Sequence, residues 1–245
     1  MDEFLLDRVQ QHRNNPKTRS QPFVILEIGT YCGYSCTRMV RVLKEQASLT
    51  DNDFRIITID VDPLHVRIAR QLHELAGIIS PTGAAGSTSN PIITYMELDP
   101  SIASNILGDR VRAALAQIAI SETGGGSNTD GALTSKLDTQ SSSVVYPHFV
   151  FLDHDKDLYK QDLQHLQAAG IIHKGCAVAA DNVYFFGLHD YRSYMQEQAK
   201  KGIVSTRLVK GLVEYIVEQT DENDEEEWQD GIELSVYLKD PTRSD

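Results

Sequence analysis

The stretch FVILEIGTYCGYS, residues 23–35, decides how the rest of the chain is read. Phe23 to Ile28 is a short apolar run closed by Gly29, the pattern of a buried strand. Gly29 and Gly33 stand in a G-x-x-x-G spacing, and Ser35 to Glu45 follows with Cys36, Met39, Val40 and Leu43 at helical spacing. Glycines at such a corner let the backbone approach a ligand, and helix N–H groups there can take an anion. A tight structural turn explains the same residues equally well. The spacing is also not the G-x-G-x-x-G of dinucleotide binders.

Working outward, Phe54 to Val61 reads as a second strand, with Asp60 at its end and Pro63 suited to the first turn of a helix that stops near Gly77. An acid after the second strand can accept hydrogen bonds from ribose hydroxyls. Turn and acid together point to a nucleoside cofactor. Without a pyrophosphate loop, S-adenosylmethionine is favoured over NAD.

The remaining chain continues the alternation. Ile92 to Leu98 and His148 to Leu152 read as strands, and Ala177 to Ala180 ends a further one. Ile102 to Ile120, a segment ending near Ala169, and His189 to Lys200 read as helices. Val204 to Val217 and Gly231 to Leu238 form an expected antiparallel pair around the acidic run Asp221 to Glu227. The amphipathic start (Phe4, Leu5, Val9) precedes a polar break at Asn14 to Ser20. Segments near 79–91, 121–143 and 219–229 are expected to be flexible insertions within one domain spanning 1–245. Strands alternating with helices predict an α/β fold: a mostly parallel seven-stranded sheet with an antiparallel C-terminal strand and helices on both faces. In such sheets ligands sit beyond the carboxyl ends of the strands.

Composition narrows the function classes. The 245 residues are 41% hydrophobic and 24% charged, ordinary for a globular protein large enough to bury a core. A net charge of −12 argues against nucleic acid and against an anionic membrane surface as partners. Cys32, Cys36 and Cys176 offer neither a disulfide framework nor a zinc knuckle; the four-residue spacing of Cys32 and Cys36 suggests small buried residues on one helical face. The first twenty residues carry no signal-peptide core, and no apolar stretch approaches the ~20 residues of a membrane span. The expectation is a cytoplasmic protein acting on a small molecule.

The strand ends carry chemistry. FLDHDKD ends the fourth strand with Asp153, and AADNV ends the fifth with Asp181 and Asn182. Neighbouring strand ends can aim these three at one point. Two carboxylates and an amide oxygen are hard ligands, suited to Mg²⁺ with positions left for substrate oxygens. Helix capping explains any one such acid, but less well all of them together.

At this point the sequence resembles the catechol O-methyltransferases. The resemblance is carried by VILEIGTYCGYS (24–35), ITIDVDP (57–63), FLDHDKDLY (151–159), GIIHKGCAVAADNV (170–183), LVEY (212–215) and DGIELSVY (230–237), in the family's order. It implies a Rossmann-like class I methyltransferase sandwich that moves a methyl group from S-adenosylmethionine to a catechol hydroxyl at Mg²⁺. By that resemblance Asp153, Asp181 and Asn182 are the Mg²⁺ ligands and Lys156 the general base. Glu214 hydrogen-bonds the second hydroxyl. Glu27, Gly29, Tyr31 and Ser35 surround the methionine part of the cofactor, Asp60 takes the ribose and His154 touches the adenosine. A nearby dication would favour the neutral lysine amine that a base requires.

Three departures stand out. About 22 residues precede Phe23, fewer than the family's covering segment, so a more open pocket or a shortened gene product is expected. The family's aromatic gatekeeper is Asp155 here. The loop after the third strand lacks the family's Ser-Gln pair and reads Leu98-Asp99-Pro100-Ser101, with Asp99 or Ser101 as substitutes. The competing reading is a catalytically weak binding or regulatory protein on the same fold. Retention of every metal and base residue speaks against it. An NAD-linked oxidoreductase and a phosphoryl-transfer enzyme are disfavoured, since neither has its phosphate loop.

Overall fold

A computed structural model describes residues 1–81, 91–101, 103–122, 144–184, 188–212 and 229–241. In chain order the elements are α1 (Asp2–Asn14), β1 (Phe23–Ile28), α2 (Tyr34–Arg41), β2 (Phe54–Asp60), α3 (Pro63–Leu75), β3 (Ile93–Glu97) and α4 (Ala103–Glu122). They continue with β4 (Phe149–Leu152), α5 (Tyr159–Ala168), β5 (Ala177–Ala180), α6 (His189–Lys200), β6 (Val204–Leu212) and β7 (Gln229–Tyr237). The sheet order is β3-β2-β1-β4-β5-β7-β6. The first five strands pair in parallel, and β7 runs antiparallel to both β5 and β6.

Strand β1 is buried along its whole length, as a central parallel strand covered on both faces should be. Its side chains alternate between two cores. Val24, Leu26 and Ile28 pack with Leu107 and Val111 of α4, Leu163 of α5 and Tyr191 of α6. Phe23 and Ile25 pack with Leu5 and Val9 of α1 and Met39 and Val40 of α2. Each such side chain contributes about 1.5–3 kcal/mol on full burial. Helices therefore cover both faces, as the alternation predicts. The apolar start at Phe4, Leu5 and Val9 is one of those covers.

Local details refine the reading. Pro63 opens α3 and Asp62 caps it, accepting from the Leu64 N–H at 2.8 Å. Gly77, at φ +68°, ends the turn after it. The helix expected over Ser35 to Glu45 is α-helical only to Arg41 and continues as a π-helical turn, Val42–Gln46. Cys32 lies in the turn before α2 and is half-buried, while Cys36 is fully buried, so the two do not share a helical face. The expected insertions fall largely outside the described residues. No helix among the described residues is long and apolar enough to cross a membrane.

The chain turns one way from β1 to β2 and the other way to β4. Beyond β1 and β4 lies the switch point where ligands bind in open α/β sheets.

Candidate active site

The glycine turn is built against the protein first. Gly29 adopts φ +100°, and a Cβ there would stand 2.2 Å from the Asp153 carbonyl oxygen. Gly33 adopts φ +80°, and its Cβ would meet His73 Nε2 at 2.7 Å. Both glycines are required by close packing at the switch point and on α3. Tyr31, between them, holds a left-handed backbone at φ +43° and is exposed.

Asp60 secures this turn. Its Oδ2 accepts the backbone N–H groups of Thr30 (3.0 Å) and Tyr31 (2.8 Å). Its Oδ1 accepts the Asp62 N–H at 2.9 Å and lies 3.3 Å from His65 Nδ1. Two turn N–H groups that could have served a ligand are thus bonded to Asp60. Glu27 lies beneath, fully buried, accepting from the Ser35 hydroxyl at 2.6 Å and from Thr58. Burial pushes its carboxyl up to about 7, with Asp153 and Asp60 adding to the rise.

The acids sit at the ends of β4 and β5. Lys156 Nζ donates to Asp153 Oδ1 and to the Tyr159 hydroxyl, both at 2.8 Å. Tyr159, fully buried, donates in turn to the Asp181 carbonyl oxygen at 3.1 Å. Asp181 is pushed up to about 6, first by burial and then by the neighbouring Asp153 carboxylate. Asn182 holds φ +55°, with its N–H bonded to Asp181 Oδ1 at 2.9 Å. Its side-chain amide donates to Asp230 Oδ2 at 2.7 Å.

These residues fit a dication. Burial and the neighbouring Asp153 carboxylate make ionising Asp181 costly, which a divalent charge would offset. Asn182 tolerates the left-handed backbone better than most side chains, and strain of this kind gathers at functional sites. Among the described residues no trio of His, Cys, Asp or Glu side chains gathers for a metal ion. The candidate set therefore needs the Asn182 amide oxygen as its third donor.

One cleft of about 700 Å³ joins both corners, lined by Gly29, Tyr31, Asp60, His154, Asp153, Lys156, Asp181 and Asn182 among others. A second, of about 550 Å³, shares Gly29, Tyr31, Asp153, Asp181 and Asn182 and adds Ser35. Every expected site residue in the described part except Glu27 lines one of the two. Glu27 supports Ser35 from below. Glu214 lies outside the described residues.

Sequence reasoning misses Tyr159, Asp230 and Asp162. Tyr159 and Asp230 stand inside the quoted FLDHDKDLY and DGIELSVY segments, but nothing local marks them as partners of Lys156 and Asn182. Asp162 accepts from His154 Nε2 at 2.9 Å. The departures also find their places. Asp155 caps the short 3₁₀ turn Lys156–Leu158, accepting the Asp157 N–H at 3.1 Å. Asp99 Oδ1 is held by the Ser101 N–H (2.9 Å) and hydroxyl (2.6 Å).

No protein-family model matches the chain. It is 28% identical over 180 residues to catechol O-methyltransferase of Bos taurus, covering 74% of this chain and 48% of that protein. It is 28% identical over 217 residues to catechol O-methyltransferase B of Danio rerio, covering 89% of this chain and 59% of that one. The chain thus spans about half the length of the curated relatives it matches. The solved structure of the O-methyltransferase TomG from Streptomyces achromogenes in complex with SAM shares the fold, with a TM-score of 0.52, 18% identity, and coverage of 97% of this chain and 91% of that one. Moderate identity over most of its length makes this chain similar to the catechol O-methyltransferases, and it shares its fold with a solved O-methyltransferase.

Proposed function

We propose that this protein is an S-adenosylmethionine-dependent O-methyltransferase that methylates one hydroxyl of a catechol-type diol held at Mg²⁺. The observation that carries the reading is the shared cleft: the glycine turn, Asp60, Asp153, Lys156, Asp181 and Asn182 all face one space.

Asp153, Asp181 and the Asn182 amide oxygen would hold the ion. When bound, Mg²⁺ supplies charge that favours a phenolate over a phenol, and the cofactor supplies a methyl group on sulfonium. Lys156 Nζ takes the proton of the attacking hydroxyl. Its two fixed contacts, to Asp153 and Tyr159, keep the amine in one place. Gly29, Tyr31 and Ser35 border the methionine part of the cofactor, with Glu27 bracing Ser35. Asp60 and His154 border the nucleoside. Glu214 is assigned to the second hydroxyl. Methyl transfer is an in-line displacement in which positioning does most of the work.

Labelled methyl transfer to a panel of catechols, with and without Mg²⁺, tests this. A methylated diol that requires Mg²⁺ is expected. Cofactor binding without any methylated diol would instead leave a binding or regulatory protein.

A further inference from the structure

Strand β3 lies next to β2, so a ribose at Asp60 would direct its base toward the loop from β3 into α4. There the cleft is walled by Leu98, Pro100, Ala103, Leu107 and, from the turn before α5, Leu158. Such a wall suits a flat heterocycle but gives it no identity. Asp99, turned to Ser101 through its Oδ1, is not among the residues that line this cleft.

Asp162 differs. It lines the same cleft and is only 5% exposed. Its Oδ2 is bonded to His154 Nε2, while its Oδ1 has no hydrogen-bond partner among the described residues. Leaving a buried carboxylate oxygen unmatched is costly, and such atoms call for an explanation. Asp162 Oδ1 therefore offers an acceptor without a donor among the described residues.

We propose that Asp162 reads the base of the cofactor, its Oδ1 accepting a hydrogen bond from the exocyclic amino group of an aminopurine; this rests on the cofactor reading above. An oxo-purine would present an oxygen to the same oxygen and be rejected. Loss of a hydrogen bond to a charged group, with repulsion in its place, predicts discrimination of about tenfold or more.

The test is calorimetric binding of S-adenosylhomocysteine and S-inosylhomocysteine to the wild type and to Asp162→Asn. In the variant the amide oxygen keeps His154 Nε2–H, and an N–H₂ donor replaces Oδ1. The wild type should prefer the adenosyl form about tenfold or more, and the variant should lose or reverse that preference. Asp162→Ser is the second variant, in which discrimination should also fall. Equal binding of both nucleosides to the wild type, or an unchanged ratio in a folded variant, overturns the proposal. If neither nucleoside binds the wild type, the cofactor reading itself fails.

Discussion

The side-chain amide of Asn182 donates to Asp230 Oδ2 at 2.7 Å, which commits its nitrogen to β7 and leaves its oxygen as the atom for a ligand. Asp230 is itself buried, and its Oδ1 takes the Gly231 N–H at 2.7 Å and the Tyr184 N–H at 3.3 Å. An outer partner fixed this firmly should orient the ligand it holds. Asp230→Ala is expected to weaken Mg²⁺ binding by about 10–100-fold, measured by calorimetry in the presence of S-adenosylmethionine. Unchanged Mg²⁺ affinity would show that Asn182 is not oriented in this way.

Gly29 and Gly77 both have positive φ, but only one is crowded. An alanine Cβ at position 29 would run into the Asp153 carbonyl, whereas nothing stands within 4 Å of one at position 77. Gly29→Ala should therefore cost more than ~3 kcal/mol, and Gly77→Ala about 1 kcal/mol, in denaturant unfolding. Equal costs would mean that the approach of β1 to β4 is easily relaxed.

Much of this architecture is legible in the amino-acid sequence. The bounds of β1 and α6 and the end of β5 follow from it to within a residue, because apolar runs and helical spacing are local signals. Two strand-end acids and an Asn-bearing turn point to one site once a parallel sheet is inferred. What stays hidden depends on contacts distant in sequence. Asp60 reaches back 30 residues to Thr30, and Asp230 reaches 48 residues to Asn182. Gly29 is ambiguous for the same reason: a glycine required by a neighbouring strand looks identical to one required by a ligand. Asp155 breaks the family pattern, and its capping of the turn after β4 is visible only in three dimensions.

Glu27 makes the glycine corner sensitive to pH. Its pKa rises from 4.5 to about 7, chiefly through burial. The folded state therefore binds the proton more tightly, and stability present below pH 4.5 is lost as pH rises through 7. The shift corresponds to about 3 kcal/mol, as an order of magnitude. Glu27→Gln should gain stability relative to the wild type between pH 5 and pH 8, followed by denaturant midpoints. A gap that does not change with pH would rule this out, whatever its size.

His148 acts in the opposite direction. It is stacked on Phe23, and its Nδ1 accepts the Val24 N–H at 3.0 Å. Burial, with His12 and His173 adding, pushes its pKa from 6.5 down to about 3. The unfolded chain takes up the proton first, so stability present above pH 6.5 drains away as pH falls toward 3. His148→Asn, which keeps an acceptor for Val24, should lose about 3 kcal/mol less than the wild type between pH 7 and pH 4. Parallel pH profiles for the two proteins would exclude His148 as the source.

Lys156, held between Asp153 and Tyr159, is proposed as the base of a Mg²⁺-dependent methyl transfer. The most direct measurement compares labelled methyl transfer to a catechol by the wild type and by Lys156→Ala, at saturating Mg²⁺ and cofactor. A loss of about 10²–10⁴-fold in turnover is expected, with cofactor binding retained. Turnover within a few-fold of the wild type would contradict it.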